Sequence, residues 1–325
     1  MMTTKLFKFT KYTALILFTT ALILGLIFLA LDRETQTLSL ESRKLLPGSA
    51  YQNNSNFVEL SNGQVHYELS GEDKSRVVVL VHGFSIPAYV WEPTFQHLVN
   101  EGYTVLRYDL YGRGFSDRPK VDYTMAVYVK QLDELLKALD ISEPIDLIGL
   151  SMGGAVATHY TNAYPEKVAK VGLIAPLFET PMRPEIKPML VPYIGEYLSN
   201  VILIPKISKG VAKAVYDVNS FPNWETLFTP QTEYKGFRRA ILSSIRNLAG
   251  KSFEVQYRAF GKLDKPVLLI WGREDQTLPF SESARVLAAI PNAHFTALEQ
   301  TGHLPNYEKP DQVNALLSAF LIRQQ

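Results

Sequence analysis

The stretch Ile145-Asp146-Leu147-Ile148-Gly149-Leu150-Ser151-Met152-Gly153-Gly154-Ala155-Val156-Ala157-Thr158-His159-Tyr160 decides the fold. Its first four residues form a short apolar run that reads as a buried strand, and Ala155 to Tyr160 continue as a helix. Between them a serine stands in the pattern G-x-S-x-G. A strand-to-helix turn this tight leaves no room for flanking side chains, so Gly149 and Gly153, with Gly154 beside them, are the residues it requires. The serine hydroxyl is thereby pushed out over the end of the sheet, with the backbone N–H groups of the helix start facing the same space. This arrangement points to an enzyme with a serine nucleophile.

Around the elbow the chain alternates strands and helices. Phe57 to Leu60 and Val65 to Leu69 flank Ser61-Asn62-Gly63-Gln64, and Asn-Gly between two alternating segments predicts a hairpin. The apolar runs Val77 to Val81, Val105-Leu106 with Tyr108, Ile145 to Leu150, Val168 to Ile174 and Val267 to Trp271 are those of strands buried on both faces, as in a parallel sheet. Met125 to Leu139 places Val129, Leu132, Leu135, Leu136 and Leu139 on one helical face. Together these predict a doubly wound α/β sheet led by an antiparallel hairpin.

The alternation stops between Pro176 and about Lys262. Eight of the 19 prolines lie from Pro176 to Pro230, which suits a helical insertion with irregular turns over the carboxyl edge of the sheet. Leu203, Ile204, Phe221, Trp224, Leu227, Phe228 and Phe237 argue against disorder there. The expected plan is a basic tail at 1–11, a membrane segment at 12–31, a linker at 32–50, a core of 51–176 and 263–325, and a helical cap at 177–262.

Composition bounds the function. The 325-residue chain is 46% hydrophobic and 20% charged, as a well-packed globular protein is, and its net charge of +1 argues against nucleic acid as partner. It has no cysteine, which excludes disulfides, thiolate nucleophiles and cysteine-based zinc sites. No P-loop or HExxH motif is present, and Gly112-Arg113-Gly114 is only half a dinucleotide fingerprint, with Asp117 at the third glycine position. No metal and no cofactor is expected.

Tyr12 to Leu31 carries no charge and, as a helix, would span about 30 Å, the thickness of a bilayer core. Lys5, Lys8 and Lys11 precede it, as in a targeting signal. The apolar stretch exceeds a usual signal-peptide core, and Phe28 stands where cleavage after Ala30 wants a small residue. The segment therefore reads as an uncleaved single-pass anchor. Arg33, Arg43 and Lys44 beyond it leave little charge contrast. Its resemblance to signal anchors implies a catalytic domain on the extracytoplasmic side, tethered through Glu34 to Ala50. Asn53-Asn54-Ser55 fits a glycosylation sequon.

A serine hydroxyl needs a neighbouring base. Of His66, His82, His97, His159, His294 and His303, the last follows the expected final strand, Ala293 to Leu298, in a loop at the elbow's edge of the sheet. His294 is expected to be packed inside that strand. The base needs a carboxylate to hold its tautomer. Asp275, in the turn Gly272-Arg273-Glu274-Asp275 after the strand Val267 to Trp271, is the choice, with Glu274 the competitor. The oxyanion needs donors, and the backbone N–H groups of Phe84, after Val81-His82-Gly83, and of Met152 are the expected pair. His82 is expected to brace its loop.

These segments resemble the α/β-hydrolases: His82-Gly83-Phe84, Asp109 to Ser116, Gly149 to Gly153, Trp271 to Asp275 and Gly302-His303, in that order. The resemblance runs from Phe57 to the C-terminus apart from the cap, and implies an esterase or lipase-like branch with Ser151, Asp275 and His303 as its triad. Serine at the nucleophile position separates the chain from the dehalogenase and epoxide-hydrolase branches, which use aspartate. The cap and anchor together suggest a lipid-like carboxylic ester, such as a monoacylglycerol, as the small-molecule partner. Two alternatives follow from the resemblance: carbon–carbon bond hydrolysis or another cofactor-free reaction, and a ligand receptor that retains the triad.

Overall fold

The computed structural model describes residues 2–33, 55–210, 214–220 and 224–322. The tether and the sequon at Asn53 lie outside these residues, apart from Ser55 itself. Eight strands form one sheet: β1 (Ser55–Leu60), β2 (Gly63–Ser70), β3 (Val77–Val81), β4 (Thr104–Tyr108), β5 (Ile145–Leu150), β6 (Val168–Ile174), β7 (Val267–Gly272) and β8 (His294–Leu298). Their spatial order is β1-β2-β4-β3-β5-β6-β7-β8. The first two strands are antiparallel across the Ser61-Asn62 turn, β2 is antiparallel to β4, and every later pair is parallel.

The continuous apolar runs are explained by helices on both faces. Val77, Val79 and Val81 of β3 enter one core, and Val78 and Leu80 enter the other, because side chains alternate along a strand. The first core is covered by α3 (Met125–Ala138) and α4 (Met152–Ala163), and the second by α2 (Glu92–Asn100) and the C-terminal α12 (Pro310–Ile322). Val81 stands in register with Tyr108 on one side and Gly149 on the other. The strand order reverses at β3, so the loops after β3 and β5 diverge there, a geometry that opens a crevice at the carboxyl edge.

Between β6 and β7 the described chain is helical: α5 (Ile194–Leu198), α6 (Ile204–Gly210), α7 (Trp224–Thr232), α8 (Phe237–Leu248) and α9 (Glu254–Phe260). Its one β contact among the described residues is the bridge between Glu179 and Ser252. Ile204, Phe228, Phe237 and Ile241 join the second core, so this segment packs on the sheet domain rather than standing apart. After β7 the chain forms α10 (Glu282–Ala289), then β8 and the short α11 (Pro305–Glu308).

The N-terminal segment departs from expectation. Residues Met2–Arg33 form α1. Among the described residues no helix is long and apolar enough to cross a membrane. This corrects the anchor expected over 12–31, the bilayer as its partner and the single-pass location with an extracytoplasmic domain. His294 is corrected too: it opens β8 at the edge of the sheet and is exposed rather than packed.

Candidate active site

Four strand ends, those of β3, β5, β7 and β8, deliver the candidate residues to one edge. β5 ends at Leu150 and α4 begins at Met152, leaving Ser151 alone in the turn with φ 55° and ψ −119°. That conformation is favoured by glycine, and an L-residue is held in it only by its surroundings. The surroundings are tight: a Cβ at Gly149 would lie 2.3 Å from the Gly153 carbonyl oxygen, and one at Gly153 would lie 2.2 Å from that of Val81. The glycine pattern is thus a packing requirement of the β3–β5–α4 junction. Ser151 N–H donates to Ile174 O at 2.9 Å, and Gly154 N–H and Leu177 N–H both donate to Ser151 O at 2.9 Å.

Ser151, His303 and Asp275 are brought together in one hydrogen-bonded chain. The Ser151 Oγ–H donates to His303 Nε2 at 2.9 Å, and His303 Nδ1–H donates to Asp275 Oδ2 at 2.7 Å. The carboxylate fixes the tautomer, since a hydrogen on Nδ1 leaves the Nε2 lone pair for the serine proton. All three residues are buried. The second oxygen of Asp275 accepts the N–H groups of Thr277 and Leu278 at 2.8 and 2.9 Å, which anchors the carboxylate in its own turn. Glu274 faces elsewhere and accepts Thr301 N–H at 2.9 Å.

The loop after β3 meets the serine from the other side. A Cβ at Gly83 would lie 3.6 Å from Ser151 Oγ. Neither Phe84 N–H nor Met152 N–H, the expected oxyanion donors, has an acceptor among the described residues, and Met152 opens α4, where a free N–H is the rule. His82 braces the loop: its Nδ1–H donates to Gly83 O at 2.9 Å and its Nε2 accepts Leu110 N–H at 2.9 Å. Burial pushes its pKa down to about 4, so it is neutral at physiological pH.

The remaining histidines have other partners. His66 Nδ1 pairs with Asp109 Oδ2 at 2.8 Å. Burial alone would raise the Asp109 pKa, but the charge and hydrogen bond of His66, with the Ala88 N–H, hold it below the ordinary carboxylate value. His159 donates to Ala155 O within α4, and His97 meets Ser318 on α12.

Two supports were not anticipated from the sequence. Arg113 is fully buried and has no carboxylate partner among the described residues. It donates to Phe84 O at 2.7 Å, to Tyr111 O, to Tyr128 at 2.6 Å and to Ser244 of α8 at 2.9 Å. It therefore ties the expected oxyanion loop to the insertion. Glu308, four residues after Leu304, binds the loop that carries His303. A glutamate one helical turn past the histidine was the available signal for it.

A cavity of about 320 Å³ opens onto Ser151 and His303. Phe84, Ile86, Leu150 and Leu304 give it apolar walls, while Lys206 and Ile207 of α6 and Ala214 come from the insertion. Among the described residues no group of His, Asp or Glu is arranged to hold a metal ion.

A strand-to-helix serine hydrogen-bonded to a histidine on a later loop, at the carboxyl edge of a mostly parallel sheet, defines a hydrolase. Residues 78–316 match the alpha/beta hydrolase family, and the chain belongs to it. It is 27% identical over 281 residues to the 2-hydroxy-6-oxononadienedioate/2-hydroxy-6-oxononatrienedioate hydrolase of Paraburkholderia xenovorans, covering 82% of this chain and 95% of that one. A putative non-heme chloroperoxidase of Synechocystis is 29% identical over 283 residues, 79% of this chain and 94% of its own. Among solved structures, an esterase from Exiguobacterium antarcticum superposes with a TM-score of 0.71 at 19% identity, covering 82% of this chain and 99% of that one.

Proposed function

We propose that this hydrolase cleaves carboxylic esters with an apolar acyl group through an acyl-enzyme on Ser151. The observation that carries the reading is the chain Ser151 Oγ–His303 Nε2 and His303 Nδ1–Asp275 Oδ2 at 2.9 and 2.7 Å, facing a cavity with apolar walls. In this reading His303 takes the Ser151 proton as Oγ bonds to the ester carbon, and Asp275 stabilises the resulting imidazolium. The N–H groups of Phe84 and Met152 receive the oxyanion. Collapse breaks the bond to the alcohol oxygen, which leaves with the proton from Nε2. Water then repeats the sequence on the acyl-enzyme, releasing the acid and restoring Ser151. Residues 177–262 act as a cap, which Ile207 and Ala214 on the cavity wall support.

Carbon–carbon bond hydrolysis is the second reading, and Lys206 favours it. Its side chain lines the cavity and has no carboxylate partner among the described residues. The Paraburkholderia relative is named for dioate substrates, and a cation beside an apolar pocket suits an acid with a free carboxylate.

The test is hydrolysis of p-nitrophenyl esters from acetate to palmitate by the full chain, alongside a 2-hydroxy-6-oxo-dienoate. Ser151→Ala serves as control and is expected to lower turnover on the order of a millionfold. Ester turnover that vanishes in the control supports the first reading, and its chain-length optimum sizes the acyl pocket. Turnover of the dienoate alone replaces it with the second. One slow turnover followed by tight product retention would favour a receptor instead.

A further inference from the structure

The loop Thr301-Gly302-His303-Leu304 has every backbone N–H committed. Thr301 donates to Glu274 Oε2 at 2.9 Å, Gly302 to Glu308 Oε2 at 2.9 Å and Leu304 to Glu308 Oε1 at 3.0 Å. His303 N–H donates to Ala214 O at 2.6 Å. The Glu308 carboxylate therefore straddles the histidine, with one oxygen for each neighbour. The same oxygen that holds Gly302 also accepts Tyr216 N–H at 2.7 Å.

Ala214 and Tyr216 belong to the insertion, far in sequence from both strands of the site. They are fixed to the histidine loop at two points, one on the His303 amide and one on Glu308. The space between is closed, since a Cβ at Gly302 would lie 2.5 Å from Ala214 O and 2.8 Å from Tyr216 N. Val215, between them, is buried in the second core. Ala214 also lines the cavity beside Ser151 and His303. The wall of the cavity and the backbone of the histidine are thus one hydrogen-bonded unit, joined directly at the His303 amide and again through the Glu308 carboxylate.

We propose that Glu308 is a positioning residue that couples segment 214–216 to His303, so that the imidazole aligns with Ser151 only while that segment is docked. The proposal rests on His303 as the base. The chemistry follows from the number of acceptors: a carboxylate has two oxygens with lone pairs enough for three N–H donors, and no neutral side chain of this length does. Binding of a substrate against Ala214 then acts on the base through one rigid contact. Misplacement of a base by about 1 Å is enough to lower turnover about a hundredfold.

The test uses the full chain with p-nitrophenyl acetate, or with the dienoate should that be the substrate, and Glu308→Ala, Glu308→Gln and Gly302→Ala variants. Melting curves set the assay temperature, well below every unfolding transition. Glu308→Ala is expected to lower kcat about a hundredfold with KM within about twofold, because ground-state binding does not need the aligned base. Glu308→Gln, with one acceptor oxygen, is expected to fall between it and the parent. Gly302→Ala displaces segment 214–216 without removing charge and is expected to reproduce the Glu308→Ala signature. Hydrogen exchange at the His303 and Tyr216 amides is expected to quicken together in both. Unchanged kcat in folded Glu308→Ala, or quickened exchange at one amide alone, overturns the proposal. His303→Ala separates the two failures: if it retains full activity, the reading of His303 as base falls and the coupling falls with it.

Discussion

The carboxylate of Glu274 accepts the Thr301 N–H at 2.9 Å, two residues before the histidine that its neighbour Asp275 contacts. Adjacent acidic residues thus hold one loop by different means, Glu274 by the backbone and Asp275 by the imidazole. Their variants should separate. Asp275→Asn is expected to lower kcat about ten-thousandfold, since the amide presents the wrong tautomer partner. Glu274→Gln keeps an acceptor for Thr301 and is expected to retain most of the activity. Steady-state kinetics of the pair decides it, and the reverse ranking would make Glu274 the acid.

Gly153→Ala tests the elbow as a packing junction. Its Cβ would lie 2.2 Å from Val81 O and 2.6 Å from His82 O, both backbone atoms of the central strand region. Neither can rotate away, so β3 or α4 must move. The expected loss is about 3 kcal/mol or more, read by chemical denaturation.

Arg113→Met keeps the bulk and removes the donors. It leaves Phe84 O and Tyr111 O without their buried donor, while the hydroxyls of Tyr128 and Ser244 keep each other at 3.1 Å. At about 1–3 kcal/mol for each of the two unsatisfied carbonyls, the variant is expected to lose at least about 2 kcal/mol. It is also expected to lower kcat, because the Phe84 peptide loses its anchor. Ser244→Ala removes one of the Arg113 contacts and leaves the two carbonyls their donors, so it should show a fraction of both effects.

His82 predicts acid sensitivity with a definite sign. Its ordinary pKa of 6.5 falls to about 4 in the fold because burial penalises the cation. Between those values the unfolded chain binds a proton that the folded chain refuses, so stability rises with pH there. The contribution is full above about pH 6.5 and lost as the pH falls to about 4, a change on the order of 3 kcal/mol. Burial depresses the pKa of His159 in the same direction. Denaturation midpoints at pH 7 and 4.5 should differ accordingly, and His82→Gln should shrink the difference without abolishing it.

The sheet was legible because its physics is local. Strands covered by helices on both faces must be apolar throughout, and Val77 to Val81 or Ile145 to Leu150 announce that from five or six residues. Asn62-Gly63 announces the hairpin in two. Ser151, Asp275 and His303 were named because each sits just beyond a strand, and the structure brings them within hydrogen-bond distance. Arg113 was not legible, because its Ser244 partner is 131 residues away and nothing in Gly112-Arg113-Gly114 points to it. His294 was misread because pattern shows that a residue lies in a strand, not that the strand is the last of its sheet. The membrane segment over 12–31 was read from hydropathy alone, and among the described residues no helix is long and apolar enough to cross a membrane.

The turn at Ser151 places this chain in tension between durability and turnover. A backbone at φ 55° and ψ −119° costs an L-residue about 1–3 kcal/mol and costs glycine almost nothing. Ser151→Gly should therefore yield a protein that hydrolyses nothing yet melts higher than its parent. On that account Ser151 is a standing liability to the fold, kept in the proposed mechanism for the bond it forms, and selection for thermal robustness alone would discard it first.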